Sequence, residues 1–407
     1  MSANASFTEP AIQRCPFGLM AQIRKESPIY RDPVTNFLVL TRHADIVHVN
    51  QHPELFSSTT TVILNRENSP VADEVARRYS ERGFLPMHTL LTNDPPSHKG
   101  YRVLVESVFN ASFVKQLEVH IEELADDLID QFINNNQVDL MVEFAIKLPM
   151  YLISEQLGVS KEDWRRFKLW SDITVEQINP GIDPERELEI TDHLIEMQHY
   201  LLKRAEVYLE NPAPTLLSRL ANAEVDGRRL DSREFVAIAH QLLVAGNETT
   251  TSSIATGVLM LLEDPQLRER LQTNPDQVSS FVEEVLRLHA PSPHLYRQVV
   301  QDCEIGGFPV AKDEVLMLSY LAANRDPEKF ESPDCLDLDR KNGRQHLAFG
   351  RGIHFCIGNQ LARAELRIAF QRLLARLPQM SLDPAWPKPQ FAAIYHVHTL
   401  EQLHIIF

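Results

Sequence analysis

Residues 349–358 read Phe-Gly-Arg-Gly-Ile-His-Phe-Cys-Ile-Gly, and this stretch decides how the rest of the chain is interpreted. Its cysteine, Cys356, is flanked by three glycines, and apolar residues then recur at helical spacing over 362–377. Cys356 therefore lies where a loop becomes a helix, and the N–H groups and dipole of a helix start favour an anionic sulfur. Glycines let a flat group approach the backbone. A thiolate presented in this way is better suited to bind a metal than to form a disulfide.

The composition is that of a globular protein and excludes several classes of partner. The chain has 407 residues, of which 43% are hydrophobic, and a formal net charge of −16. That charge argues against nucleic acid or an anionic membrane as a partner. The first 24 residues carry no membrane-length apolar run and no signal-peptide pattern, and the four cysteines lack the spacing of a disulfide framework. We expect a reduced, cytoplasmic protein.

The hydrophobic pattern changes along the chain without marking a linker. It is helical from Phe113 to about Leu288, whereas short β-type pieces occur at 29–40, 303–310 and 315–321, and the end of the chain is β-like. A helical majority with small strand pieces near both ends predicts a mainly α fold with one domain over residues 1–407.

The longest periodic segment, Glu234–Leu262, has poor helix formers in its middle, from Gly246 to Ser253. One interpretation is that the hydroxyl groups bond back to carbonyls four residues earlier. The other is that the helix opens locally for function, with Gly246 admitting a ligand while Glu248 and Thr249 relay protons. The sequence leaves both open.

Four basic side chains are candidates to hold a dianionic ligand near the thiolate. His98 and Arg102 lie four residues apart on one predicted helix face, Arg297 lies on an extended piece, and His354 lies in the cysteine loop itself. A lone histidine is more often structural than functional, so a purely structural role is the alternative for each histidine.

Taken together, these motifs resemble the cytochrome P450 family. They occur in the family's order over about 90–407, and the segments that carry the resemblance are Asp94–Arg102, Ala245–Thr249, Glu284–Arg287 with Arg340, Ala323–Pro327 and Phe349–Gly358. One departure is Asp313, which stands where the family often has a glycine in a turn.

The resemblance implies a helical bundle around haem b with small β-sheets, and the insertion of one oxygen atom from O2 into a hydrophobic small molecule. Cys356 would be the axial iron ligand, which in this family favours O–O cleavage, and Phe349 would shield its sulfur. Thr249 with Glu248 would hydrogen-bond dioxygen and deliver protons. Further haem-binding positions would be His98, Arg102, Ala245, Gly246, Arg297, His354 and Gly358. A buried structural triad would comprise Glu284, Arg287 and Arg340.

Family analogy also places a substrate pocket along four segments of the chain. Its candidate residues are mostly aliphatic, which fits a terpenoid- or steroid-like molecule, although each has a plain core role as its alternative. They are Leu85, Met87, Leu242, Leu243, His294, Leu295, Ile394 and Tyr395.

No flavin or iron–sulfur module fits beside this domain, so we expect the electrons to come from a separate ferredoxin and ferredoxin reductase. We also expect the protein to be a monomer. A basic run after residue 339 would make a patch for an acidic ferredoxin: Arg340, Lys341, Arg344, Arg351, Arg363, Arg367, Arg372 and Arg376. The alternatives are a peroxide-driven peroxygenase, a haem-binding sensor or carrier without turnover, and a zinc site built on Cys356 and His354. Retention of Glu248 and Thr249 argues against the peroxygenase.

Overall fold

The computed structural model describes residues 5–27, 29–59, 69–159, 163–178, 182–225 and 227–407. Within these ranges the α-helices are α1 (Pro10–Arg14), α2 (Phe17–Glu26), α3 (His43–Gln51), α4 (Ala72–Arg82), α5 (Ser97–Val108), α6 (Ala111–Asp130), α7 (Lys147–Gln156), α8 (Trp164–Ile178), α9 (Pro184–Glu210), α10 (Leu216–Ala221), α11 (Ser232–Glu263), α12 (Pro265–Thr273), α13 (Val278–Leu288), α14 (Tyr320–Ala323) and α15 (Asn359–Arg376). The strands are β1 (Ile29–Arg31), β2 (Leu38–Leu40), β3 (Phe56–Ser57), β4 (Gln137–Asp139), β5 (Glu224–Val225), β6 (Arg228–Arg229), β7 (His294–Val299), β8 (Cys303–Ile305), β9 (Phe308–Val310), β10 (Val315–Ser319), β11 (Ser381–Leu382) and β12 (His404–Ile406). The prediction of a mainly α fold with small sheets is confirmed. No helix in the described part of the chain is long and apolar enough to cross a membrane.

The chain divides into two compact units. The large unit comprises residues 1–56, 114–149 and 248–407, and the small unit comprises 57–113 and 150–247. The long helix α11 contributes residues to both.

The main sheet belongs to the large unit and has the strand order β1-β2-β10-β7-β3. Its β7 pairs antiparallel with β10, so that His294 lies opposite Ser319 and Arg297 lies opposite Leu316. Successive side chains on a strand point to opposite faces, so residues three apart lie on different faces. His294 and Arg297 therefore project from opposite sides of the sheet.

Helix α11 runs without interruption through Gly246–Ser253. The hydroxyl groups of Ser252 and Ser253 donate to the carbonyls of Glu248 and Thr249, at 2.7 and 2.9 Å. Hydroxyls that bond back to the preceding turn are the simpler of the two predicted explanations, and it is confirmed. The predicted local opening of the helix is wrong.

The turn before β10 explains the departure at Asp313. This residue has a φ of 68°, in the left-handed region that favours glycine. Aspartate tolerates that region better than most residues, so the turn keeps its conformation without glycine.

In the small unit, α9 is a 27-residue helix that begins where the Asp183 carboxylate accepts hydrogen bonds from the N–H groups of Glu185 and Arg186. It packs beside α4, and the Arg78 guanidinium of α4 pairs with Asp192 of α9 at 2.7 Å. This packing fixes where the chain leaves α4, at Gly83.

Candidate active site

The cysteine loop has the geometry that its glycines predicted. Gly350 and Gly352 have φ values of 66° and 70°, which side-chain-bearing residues rarely adopt. The backbone N–H of Cys356 donates to the carbonyl of Phe349 at 2.8 Å, and the side-chain amide of Asn359 donates to the Cys356 carbonyl at 2.8 Å. Helix α15 then begins at Asn359, immediately after Gly358. Cys356 is half-buried, is not in a disulfide, and lies just ahead of a helix start.

Arg297 is tied to this loop through Asn50. A β-carbon added at Gly352 would lie 2.0 Å from the Asn50 carbonyl oxygen, so the two backbones are in close contact. The Arg297 guanidinium donates to the Asn50 side-chain oxygen at 3.3 Å and to the Tyr296 carbonyl at 2.6 Å, and it is 2% exposed. The structure therefore brings a buried cation to the side of the sheet that carries the cysteine loop.

Phe349 is held by a charged cluster that sequence reasoning missed. The Arg363 guanidinium lies 4.4 Å from the centre of the Phe349 ring and donates to the Glu283 carboxylate at 2.7 Å. His346 also donates to Glu283, at 3.0 Å, because its other ring nitrogen already accepts from the Ala348 N–H. Burial alone would raise the pKa of Glu283, but hydrogen bonds from His346 and Arg363 outweigh it and lower that pKa to about 2. The only sequence signal was that Glu283 precedes the predicted triad residue Glu284.

The three triad residues are in contact. The Arg287 guanidinium, which is fully buried, donates twice to Glu284, at 2.6 and 2.8 Å, and Arg340 donates to the same carboxylate at 3.1 Å. Arg287 also donates to three backbone carbonyls, those of Asn324, Pro333 and Cys335. Burial tends to raise the pKa of Glu284, but its hydrogen bonds and charge pairs with the two arginines lower it below its ordinary value.

One face of α11 is accessible in the middle of the helix. Ala245 is exposed, and Glu248 and Thr249, three and four residues later, are half-buried on the same face. A β-carbon added at Gly246 would meet Ile153 at an ordinary 3.7 Å. Leu243 does not share this face, because it is fully buried and lies about 160° round the helix from Ala245.

Gln241 is a residue of this face that sequence reasoning missed. It lies four residues before Ala245 and is half-buried. The spacing of four between Gln241 and Ala245 is the sequence signal that places them on one helix face. Leu242 is 8% exposed, at the border of the accessible face.

In the small unit, His98 and Arg102 share a face of α5 as predicted. Arg102 donates to Glu106 at 2.5 Å, and His98 is 3% exposed. Burial, assisted by the charge of Arg102, lowers the pKa of His98. His98 is therefore disposed to offer a neutral N–H rather than the predicted charge.

Two of the predicted substrate residues lie on the side of the main sheet opposite Arg297. His294 and Tyr395 contact each other, with ring centres 4.8 Å apart, on the face of β7 opposite Arg297. Both are 4% exposed. Leu295, on the Arg297 face, and Ile394 are half-buried. Because the cysteine loop lies on the Arg297 side, the structure does not bring His294 and Tyr395 together with that loop.

Three members of the predicted basic patch pair with carboxylates of α6, which lies more than 200 residues earlier in the sequence. Arg367 pairs with Glu118 at 3.0 Å, and Arg372 pairs with Asp126 at 2.6 Å. Arg376 pairs with Asp126 and Asp130 in the same way. Of the eight predicted members, the exposed ones are Lys341, Arg344 and Arg351.

The donor set of the cysteine loop fits a haem group. The loop offers one sulfur beside a helix start, which suits an iron ligand. Beside the loop, Arg297 of β7 offers a buried guanidinium, which suits a propionate carboxylate. A β-carbon added at Gly350 would make ordinary contacts, at 3.7 Å from both the Tyr320 hydroxyl and the His354 carbonyl oxygen. Among the described residues, no group of three or more His, Cys, Asp or Glu side chains is arranged to hold a metal ion.

Comparison with known proteins adds independent evidence. A family model described as Cytochrome P450 matches residues 185–382. The chain is 36% identical over 370 residues to cytochrome P450 107B1 of Saccharopolyspora erythraea, covering 88% of this chain and 87% of that protein. It is 32% identical over 399 residues to a methyl-branched lipid omega-hydroxylase of Mycobacterium tuberculosis, covering 94% and 90%. A cytochrome P450 of Bacillus megaterium, solved in complex with testosterone, is similar with a TM-score of 0.83 and 30% identity, covering 96% and 99%.

Proposed function

We propose, from the premise that this chain belongs to the cytochrome P450 family and is a haem-dependent monooxygenase, that Cys356 supplies the axial thiolate and that the substrate is an apolar molecule of lipid or steroid size. The single observation that carries the assignment of Cys356 is its place in a glycine loop with left-handed backbone just before α15, a loop that contacts Asn50, which in turn accepts a hydrogen bond from the buried guanidinium of Arg297. Arg297 would hold a propionate, and Phe349, clamped by Arg363, would cover the sulfur.

When bound, haem supplies the redox chemistry by which one atom of O2 enters a C–H bond and the other leaves as water, with consumption of two electrons and two protons. Proton delivery falls to this chain. Glu248 and Thr249 lie on the accessible face of α11, and a carboxylate beside a hydroxyl can pass a proton inward. The same pair disfavours a sensor or carrier without turnover, since such a protein needs no proton path.

The proposed substrate class is supported by the apolar candidate residues that are retained and by the names of two similar proteins. Leu295, Leu242 and the segment that carries Leu85 and Met87 are the retained candidates. One similar protein is named as a lipid hydroxylase and another was solved with testosterone. A molecule of that size, largely hydrocarbon, is our proposal for this chain.

For electrons, we propose a separate acidic ferredoxin that docks on the exposed cations Lys341, Arg344 and Arg351. Reversing two of these charges, with Lys341→Glu and Arg344→Glu, should raise the ferredoxin concentration needed for half-maximal turnover. Lys25→Glu, at an exposed lysine on α2, is the matched control. Unchanged kinetics in the double variant would exclude this docking surface.

The test of the activity uses haem-loaded protein, a ferredoxin, its reductase and ¹⁸O2, with testosterone and a methyl-branched fatty acid as candidate substrates. We expect one ¹⁸O atom in the product and electron-dependent turnover. Efficient product formation from hydrogen peroxide, with none from O2 and ferredoxin, would establish the peroxygenase instead.

A further inference from the structure

A buried asparagine, Asn50, lies where three segments of the large unit meet. It is the last but one residue of α3, and it is 4% exposed. Its backbone carbonyl lies so close to Gly352 of the cysteine loop that a β-carbon there would be 2.0 Å from its oxygen. Its side-chain oxygen accepts a hydrogen bond from Arg297 of β7. An uncharged residue that belongs to none of the sequence motifs thus contacts both the cysteine loop and the buried cation beside it.

The Arg297 guanidinium is anchored through both of its terminal nitrogens. One donates to the carbonyl of Tyr296 at 2.6 Å, and the other donates to the side-chain oxygen of Asn50 at 3.3 Å. Tyr296 is the neighbouring residue in the chain, whereas Asn50 belongs to a helix 247 residues away. A guanidinium is a rigid planar fork, so acceptors at its two ends fix the direction in which the plane lies. Asn50 therefore ties that plane to a second segment of the fold.

A third polar side chain, Tyr320, packs against this pair. It is the first residue of α14 and is buried. Burial raises the pKa of the Tyr320 hydroxyl, and the charge of Arg297 and the side chain of Asn50 oppose that rise. The same hydroxyl would lie 3.7 Å from a β-carbon at Gly350. The amide, the guanidinium and the hydroxyl therefore share one closely packed site next to the cysteine loop, where each restricts the rotation of the others.

We propose that Asn50 is a positioning residue that holds the Arg297 guanidinium in the orientation in which it binds a haem propionate. This inference rests on the proposed function, which assigns Arg297 to a propionate, and Asn50 itself touches no reacting atom. A free arginine side chain has many conformations, so an anchor that is present before the ligand binds lowers the cost of binding. The loss of a hydrogen bond to a charged group changes an equilibrium by about tenfold or more. At 3.3 Å the bond is long, so we expect the lower end of that range.

The test is a double-mutant cycle on the haem-loaded protein. It compares wild type, Asn50→Leu, Arg297→Met and the double variant, because leucine and methionine keep much of the side-chain size and remove the hydrogen bond. Asn342→Leu is the matched control, since Asn342 is a half-buried asparagine of the large unit whose amide donates to the Lys329 carbonyl at 2.8 Å. The first measurement is the rate at which haem is lost to excess apomyoglobin. The second is the ferric–ferrous reduction potential, and the third is the carbon monoxide difference spectrum.

We expect Asn50→Leu to lose haem about tenfold faster than wild type, but to change the rate less than about twofold when Arg297 is already methionine. The potential of Asn50→Leu should fall toward that of Arg297→Met, because a cation held near the haem favours the added electron of the ferrous form. The control should stay within twofold of wild type in rate, with an unchanged potential. All variants should keep the long-wavelength band of a thiolate ligand.

Four results would overturn the positioning role. They are an unchanged rate in Asn50→Leu, an equal acceleration in both backgrounds, faster haem loss with an unchanged potential, and loss of the thiolate band in Asn50→Leu but not in Arg297→Met. The last would show that Asn50 acts on the cysteine loop instead. If Asn50→Leu does not fold, Asn50→Ala, which adds no bulk beside Gly352, is judged by the same criteria. If Arg297→Met takes up no haem, Arg297→Lys, which lacks the planar fork, replaces it as the background.

Failure of the proposed function gives a different pattern. A wild type that binds haem without the thiolate band would refute the assignment of Cys356, while the rates and potentials would still decide whether Asn50 acts through Arg297. A wild type that takes up no haem would overturn both proposals. An intact thiolate band with an unchanged rate would overturn the role of Asn50 alone.

Discussion

Arg287→Met should destabilise the protein more than the removal of one positive charge from any exposed residue. Arg287 is fully buried, donates two hydrogen bonds to Glu284 and donates to the carbonyls of Asn324, Pro333 and Cys335. Methionine preserves much of the side-chain volume but none of these donors. The change removes these donors from a buried carboxylate and from three backbone carbonyls.

The size of the effect follows from those contacts. Removing one partner of a buried ion pair costs about 3–5 kcal/mol. Arg340 and the Asp337 N–H still reach the Glu284 carboxylate, at 3.1 and 2.9 Å, and so limit the unpaired charge. The Cys335 carbonyl also keeps a bond from Arg340. We therefore expect a loss of about 3 kcal/mol, the lower end of that range.

The assay is urea unfolding of the haem-loaded protein followed by far-ultraviolet circular dichroism. Arg344→Met is the control, because Arg344 is 77% exposed and lies 3.6 Å from Glu283. A cation that extends into solvent contributes about 0–1 kcal/mol through such a pair. Unfolding free energies of Arg287→Met and the control that agree within about 1 kcal/mol would refute the claim that the triad is a buried structural element.

Three further predictions follow from the site. Thr249→Ala should leave ligand affinity within twofold but lower the product formed per electron consumed, with more hydrogen peroxide released, because a proton donor is lost; full coupling would remove Thr249 from the proton path. Glu283→Gln should make the free energy of unfolding less dependent on pH in acid. The pKa of Glu283 in the folded protein is about 2, below its ordinary 4.5, so the wild type should lose on the order of 3 kcal/mol of stability as the pH falls from about 4.5 toward 2. Urea unfolding at each pH measures this loss. Gly352→Ala should lower the thermal midpoint more than Gly307→Ala, since both have positive φ but a β-carbon meets the Asn50 carbonyl at 2.0 Å only at Gly352; equal shifts would show that the contact relaxes without cost.

Features that depend on local spacing were predictable from the sequence. Glycines around Cys356 permit left-handed backbone, and the period of the residues that follow indicates a helix, so the loop and α15 were both expected and both found. The contact of Glu284 with Arg287 is likewise local, since residues three apart on a helix are neighbours.

Features that depend on distant packing were not predictable. The arginines of α15 looked like a positive surface because the carboxylates that neutralise them, such as Glu118 and Asp126, belong to α6. Glu283 meets His346 and Arg363 across gaps of 63 and 80 residues. Periodicity says which side chains share a face, but not what the face packs against.

The separation of His294 from Arg297 was predictable from the sequence. His294 and Arg297 lie three apart on a piece that was interpreted as extended, and the alternation of a strand puts such residues on opposite faces. They therefore had no single surface to share. Leu243 illustrates the same point on a helix, where a position two residues from Ala245 turns away from it.

The central claim is that Cys356 ligates haem iron through its thiolate. The direct test is the absorption difference spectrum of the reduced, haem-loaded protein with and without carbon monoxide, compared with that of Cys356→Ser. We predict the long-wavelength band of a thiolate-ligated haem in the wild type and its absence in the variant. A folded, haem-loaded wild type without that band, or a variant that retains it, would contradict the assignment.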